Sequence, residues 1–227
     1  MKWLTNFFTS SIGQKLIMSL TGLFLILFLI VHLIGNLQLL ANDGGEAFNI
    51  YTDFMSHNAL IQFIAKGNYV FILAHAIIGI LLAVKNRRAK GSKYAVNAHN
   101  KSSWASGHMA LLGTLIFAFL FMHMGHFWFQ FKFGSGLPMV SYDGVEMIDA
   151  YTKVVSVMSQ PIWMILYLIG LAVLAFHLWH GFASAFQTLG LRHKKYTPLI
   201  NGLGKTYAIL VPLGFAILPL YIFFTQS

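Results

Sequence analysis

The chain has no cysteine and little charge: Asp, Glu, Lys and Arg together make up 9% of its 227 residues. Without cysteine there is no disulfide framework, no thiolate zinc site and no cysteine-held iron–sulfur cluster. An ordinary soluble domain is about a quarter charged, so this chain falls far short of covering its own surface with charge. Apolar residues at 57% exclude a disordered chain as well. Acids are scarcest, six against fifteen basic residues. The bilayer is the solvent that fits, and the chain reads as an integral membrane protein.

Cutting at every Asp, Glu, Lys and Arg leaves five long charge-free stretches, 16–42, 67–84, 102–131, 154–191 and 206–227. Each matches or exceeds the ~17–25 residues of a spanning helix. The expected fold is an all-α bundle of five transmembrane helices, over about 16–41, 67–86, 105–130, 160–187 and 206–225. The whole chain, 1–227, is expected to be a single transmembrane domain, since no linker or low-complexity tract divides it. A barrel is excluded because its strands would alternate apolar and polar residues. The first stretch exceeds the roughly 7–15-residue core of a signal peptide and lacks a small-residue cleavage site, so it is expected to stay as a span. Gln160-Pro161 opens the fourth span, while Pro212 and Pro219 within the fifth predict a kink that a membrane helix tolerates.

Loop charge then orients the bundle. Lys2, Lys15, Lys85, Arg87, Arg88, Lys90, Lys93, Lys101, Arg192, Lys194, Lys195 and Lys205 fall on the N-terminal side, twelve of the fifteen basic residues. The other side takes Lys66, Lys132 and Lys153 with all six acids, Asp43, Glu46, Asp53, Asp143, Glu146 and Asp149. The positive-inside rule puts the N-terminus in the cytoplasm. The net charge of +9 therefore needs no nucleic acid to explain it. A basic inner face also suits an acidic partner protein.

Ten histidines are the chemical signal. His57, His99 and His193 fall in loops and His108 at the start of the third span, whereas His32, His75, His123, His126, His177 and His180 lie within spans. An ionisable residue inside a bilayer is costly and marks a candidate site. A lone imidazole bonded across helices is the ordinary alternative, but six in four helices make that a poor account of the set. A di-iron bundle needs carboxylates beside its histidines, and every acid here is in a loop. Zinc or copper stays open, although His123-x-x-His126 and His177-x-x-His180 have no third ligand type nearby. Haem takes axial imidazoles and an apolar slot, which 21 Phe and 5 Trp could wall. Depth at ~1.5 Å per residue sets His32 and His123 towards the outside, and His75 and His177 towards the inside. Two stacked bis-histidine haems would fit those levels.

The segments Ile30-Val31-His32-Leu33-Ile34-Gly35-Asn36-Leu37, Leu73-Ala74-His75-Ala76-Ile77-Ile78-Gly79, Phe121-Met122-His123-Met124 and Ala175-Phe176-His177-Leu178-Trp179-His180-Gly181 carry a likeness to a known family. With Gly45-Glu46-Ala47-Phe48-Asn49 and Ser184-Ala185-Phe186-Gln187-Thr188-Leu189-Gly190, they resemble the single-chain, two-haem cytochrome b subunit of succinate dehydrogenase and fumarate reductase. The resemblance runs over essentially the whole chain. It implies a subunit of the bacterial cytoplasmic membrane that anchors a flavoprotein and an iron–sulfur protein on the cytoplasmic face. It also implies electron transfer between their clusters and a membrane quinone, usually menaquinone, through two b haems. The matching ligand positions are His32 with His123 for the outer haem and His75 with His177 for the inner. His126 and His180 are not family ligand positions and read as groups that bond a ligand, a propionate or the quinone. Asp53, with His57 in the segment after the first span, is the candidate for handling quinone protons. The chain would be quinone-reactive within an enzyme but not catalytic towards succinate alone.

Two other classes stand beside this. One is a b-type cytochrome subunit of another membrane dehydrogenase or a hydrogenase. The other is a haem-free transporter whose histidines relay protons, although the internal repeat that transporters often show is missing.

Overall fold

The computed structural model describes residues 2–89 and 104–226. Lys90, Gly91, Ser92, Lys93, His99 and Lys101, all in the basic loop between the second and third predicted spans, lie outside the described residues. After a short helix α1 (Lys2–Thr9), Ser10 caps α2 (Ser11–Asn36) by accepting from Gly13 N–H at 3.0 Å. A 3-10 turn over Leu37–Leu40 ends this run. There follow α3 (Glu46–His57), α4 (Ala59–Ala89), α5 (Trp104–His126), α6 (Trp128–Phe133), strands β1 (Met139–Tyr142) and β2 (Val145–Ile148), and α7 (Ala150–Met158). Pro161 starts α8 (Pro161–Thr188), where its missing N–H has no partner to lose. The last helix is α9 (Thr197–Thr225).

Five segments are long and apolar enough to cross a membrane: Ser11–Leu40, Ala59–Arg88, Gly107–Phe133, Pro161–Thr188 and Thr197–Thr225. The chain is a multi-pass membrane protein by that measure. Helices α4 and α9 start about two turns before the expected boundaries and run through Lys66 and Lys205. A charge ends a charge-free window, but at the rim of a bilayer it does not end a helix. Helix α9 also continues through Pro212 and Pro219.

The membrane part is all-α, but an antiparallel hairpin lies outside it, which an all-α reading did not include. Strand β1 pairs with β2 in the register Tyr142↔Val145 to Met139↔Ile148. The two-residue turn is Asp143-Gly144, both at positive φ (51° and 79°), the geometry that hairpin turns require.

Four spanning helices pack as the sides of a square: α2 on α4, α4 on α5, α5 on α8 and α8 on α2. The diagonal partners, α2 with α5 and α4 with α8, make at most sparse backbone contact among the described residues. Helix α9 lies outside the square against α8 and α2, and the Tyr207 hydroxyl donates to the Ile26 carbonyl at 2.6 Å. The lipid side is apolar: Leu20, Leu27, Val31 and Ile34 of α2 are exposed, as are Val70, Leu73, Ile77 and Ile80 of α4.

At the end of the bundle away from the N-terminus, α3, α7 and the hairpin form a lid. Val154, Val157 and Met158 of α7 join Leu39, Phe48, Leu218 and Ile222 in one buried cluster. Asn49, 1% exposed, is its polar pin. Its Nδ2 donates to Asp149 Oδ1 at 3.1 Å and to the Tyr142 hydroxyl at 3.2 Å, and its Oδ1 accepts from Tyr151 N–H at 2.8 Å. Burial works to raise the Asp149 carboxyl, but hydrogen bonds from Thr152 and Asn49 outweigh it and hold the group below its ordinary value. That stabilisation is present above the unfolded carboxyl's range and is lost as pH falls through the folded value. Asn49→Ala strands the groups it bonds and should cost about 1–3 kcal/mol, read as a lower detergent melting midpoint. Amide protection of the hairpin should fall in wild type as pH drops below about 4, and much less so in Asp149→Asn.

Candidate functional site

The histidines of the spans occupy the diagonals of the square. His32 of α2 and His123 of α5 face each other with ring centroids 5.8 Å apart and planes at 86°. His75 of α4 and His177 of α8 do the same at 6.2 Å and 68°. The structure thus brings together the two pairs expected from depth. A Cβ at Gly22 of α2 would lie 3.2 Å from His75 Cε1, and one at Gly113 of α5 would lie 3.9 Å from His177 Cε1. Gly22 and Gly113 each precede the histidine of their own helix by ten residues, and ten residues of helix span about 15 Å. The two pairs are therefore stacked about 15 Å apart: His75–His177 nearer the N-terminal face (the near pair) and His32–His123 beyond it (the far pair).

Aromatic rings wall the far pair. Phe28 stacks on His32 at 5.3 Å and 14°, and Phe215 of α9 lies 5.5 Å from it. Phe119, Phe127 and the buried Tyr167 surround His123 at 5.3 to 6.1 Å. Hydrogen bonding differs between the rings. His75 Nδ1 lies 3.2 Å from the Thr21 hydroxyl. His32 Nδ1 lies 3.3 Å from Asn36 Nδ2, which also donates to the His32 carbonyl at 2.7 Å. Among the described residues, the Nδ1 atoms of His123 and His177 are buried without a hydrogen-bond partner.

These residues can be tested against the metal groups that imidazole serves. A protein-held zinc centre takes three or four side-chain ligands. No group of three or more His, Asp or Glu that could hold a metal exists among the described residues. Two opposed imidazoles suit a metal whose equatorial positions are filled by a macrocycle, as in haem. Two nitrogens at ~2 Å from one metal, on opposite sides, set their ring centroids about 6 Å apart. An edge-to-face ring contact has the same spacing, so the distance does not decide. The Nδ1 atoms of His123 and His177 are the feature that a simple ring contact leaves unexplained. An apolar core with unpaired ring nitrogens is an expensive way merely to join helices. Four imidazoles in two facing pairs are a donor set that two haem irons could use.

His126 and His180 stand apart from these pairs. His126 Nδ1 lies 3.2 Å from the Tyr167 hydroxyl, with Trp163 edge-on at 4.5 Å. His180 Nε2 lies 3.2 Å from Ser184 Oγ on its own helix. Each sits three residues after a paired histidine and is held by its own neighbours.

Asp53 is on α3, with Oδ1 3.2 Å from Nδ1 of the exposed His57 one turn on. It borders a cleft of about 540 Å³ between α3 and the hairpin, walled by Ile50, Phe54, Tyr142, Val145 and Met147. Tyr51, two residues earlier and so roughly 200° round the helix, packs on Gly35 of α2. The Asp53 face is thus turned away from α2 and the far pair. Sequence reasoning missed Thr21 and Tyr167, since hydroxyls in membrane helices are common and carry no spacing signal. It also missed Asn68 Oδ1 and Ser159 Oγ, which are buried without partners among the described residues.

No family model, no curated protein and no solved structure matches this chain. The His126–Tyr167 bond is directly testable. Tyr167→Phe should cost about 0.5–1.5 kcal/mol of detergent stability. Most of that cost should vanish in a His126→Phe background, as a double-mutant cycle would measure.

Proposed function

We propose that this chain is the membrane-anchoring dihaem cytochrome b subunit of a succinate:quinone oxidoreductase. One observation carries the reading: four imidazoles, one from each of four helices, pair across both diagonals at two levels about 15 Å apart. His32 and His123 would hold the outer haem b and His75 and His177 the inner. Haems held this way supply one-electron steps between the two membrane faces. The basic N-terminal face, turned to the cytoplasm, would carry the flavoprotein and iron–sulfur subunits. Oxidation of succinate to fumarate there releases two electrons and two protons. A membrane quinone, menaquinone on this reading, takes two electrons and two protons to become quinol, and the reverse flow reduces fumarate.

The cleft beside Asp53 is where this reading would seat a quinone at the opposite face, on the side of α3 turned away from the far pair. Its volume is in the usual range for small-molecule sites, and it joins apolar walls to a few polar groups. Asp53 and His57 would pass protons between water and the quinone head group. His126 and His180 would bond propionates or second the ligands rather than bind iron. A b-type subunit of another dehydrogenase or a hydrogenase shares the haem chemistry and differs in its partner. A haem-free proton relay fits less well, because the two histidine levels are separated by far more than a hydrogen bond.

The test is haem quantitation with a reduced-minus-oxidised spectrum on the purified chain. Two b haems per chain are expected, with His32→Ala or His123→Ala removing one and His75→Ala or His177→Ala the other. Haem-free protein from cells supplied with haem would overturn the reading. Asp53→Asn should slow quinone turnover at least tenfold, the low end for a lost acid–base group, with haem content unchanged. Unaltered quinone kinetics would remove Asp53 from the site.

A further inference from the structure

The two histidine pairs differ in what touches Nδ1, and hydrogen accounting at one of them assigns a role to a hydroxyl. Thr21 Oγ1 lies 2.7 Å from the Ile17 carbonyl and 3.2 Å from the Met18 carbonyl. A carbonyl only accepts, so the single hydroxyl hydrogen is committed to the α2 backbone. Towards His75 Nδ1, at 3.2 Å, the Thr21 oxygen offers a lone pair. With the Thr21 oxygen accepting, and the Met18 carbonyl a second acceptor beside the His75 ring, the hydrogen belongs on Nδ1, and in the neutral ring Nε2 is left as a bare lone pair. Gly22 completes the seat, because a Cβ there would lie 3.2 Å from His75 Cε1 and 3.7 Å from Nδ1, pressing the ring off α2.

We propose that Thr21 is the positioning residue for the near pair: it fixes His75 in the Nδ1–H tautomer and so presents Nε2 for metal ligation across the diagonal to His177. The assignment rests on the haem reading for its purpose, but not for its geometry. Metal-bound histidines commonly donate their other nitrogen to a fixed acceptor, which sets the ring and strengthens the ligand. The far pair has no equivalent: the polar atom beside His32 Nδ1 is Asn36 Nδ2, already a donor to the His32 carbonyl. Thr21 thus separates two sites that the histidines alone would make alike.

The experiment compares wild type with Thr21→Val, which keeps the shape and loses the acceptor, and Thr21→Ser, which keeps the acceptor. Nitrogen chemical shifts of His75 in the haem-free full-length chain report its tautomer directly. Wild type and Thr21→Ser should show Nδ1–H, and Thr21→Val should lose that preference. In haem-loaded protein, Thr21→Val should weaken the haem at the near pair about tenfold and raise its midpoint potential. The other haem should be unmoved, and Thr21→Ser should restore wild-type behaviour. An unchanged His75 tautomer in Thr21→Val overturns the proposal even if both haems bind. Failure of every variant to bind haem overturns the dihaem reading instead, while the tautomer still judges Thr21.

Discussion

A ring nitrogen in hydrocarbon must find a partner, and that single requirement organises the middle of this protein. Water is not there to supply one, and an unbonded polar atom in an apolar medium carries a penalty of a few kcal/mol. The structure meets this requirement at the hydroxyls and leaves it open at two of the imidazoles, His123 and His177. Hydroxyls at Ser19 and Thr21 return to carbonyls of their own helix turn. The imidazoles at His32, His75, His123 and His177 instead leave their helices and meet across the diagonals. No carboxylate lies in the core of any span.

The remaining architecture keeps those diagonals at fixed width. Four helices in a square would shear if only their apolar sides met, since lipid is as apolar as their side chains. Helix α9 carries no histidine and braces two corners. It packs on α8 and α2, and Tyr207 bonds the Ile26 carbonyl between the levels of Thr21 and His32. The lid braces the far end. Asn49 ties α3 to the hairpin and to the start of α7, while α7 packs on α8 and α9. At the N-terminal face, Lys85 of α4 donates to Gln14 Oε1 at 2.8 Å and to the Thr9 carbonyl at 3.1 Å, closing the near end.

The spans were legible because bilayer thickness and the cost of charge are written directly into sequence as long charge-free runs. The pairing of His32 with His123 and of His75 with His177 was legible because depth follows from residue count along helices whose direction alternates. The lid was not. Its helices are short, and their apolar positions (Phe48 and Tyr51 on α3, Val154, Val157 and Met158 on α7) are too few to stand out beside spans of greater apolar length. Asp143-Gly144 did carry a hairpin signal, with Tyr142 and Val145 flanking it. It was overshadowed by the glycines just upstream, which mark a loop equally well. Thr21 was invisible for a different reason. Its role depends on which carbonyl takes its hydrogen, and sequence says nothing about that direction.

On the proposed reading, the difference between the pairs gives the bundle a polarity that its near-symmetric histidines lack. A ring whose Nδ1–H is held by an acceptor gains electron density at Nε2 and favours the oxidised state of a metal it ligates. At His75 the neighbour is an acceptor, and at His32 the nearest polar atom is a donor nitrogen. A ring whose Nδ1 accepts a hydrogen carries its proton on Nε2, so Asn36 would have to turn its carboxamide before His32 could ligate through that atom. The two levels, about 15 Å apart along the bundle axis, would therefore differ in how ready they are for a metal, the near one set by Thr21 and the far one waiting on Asn36.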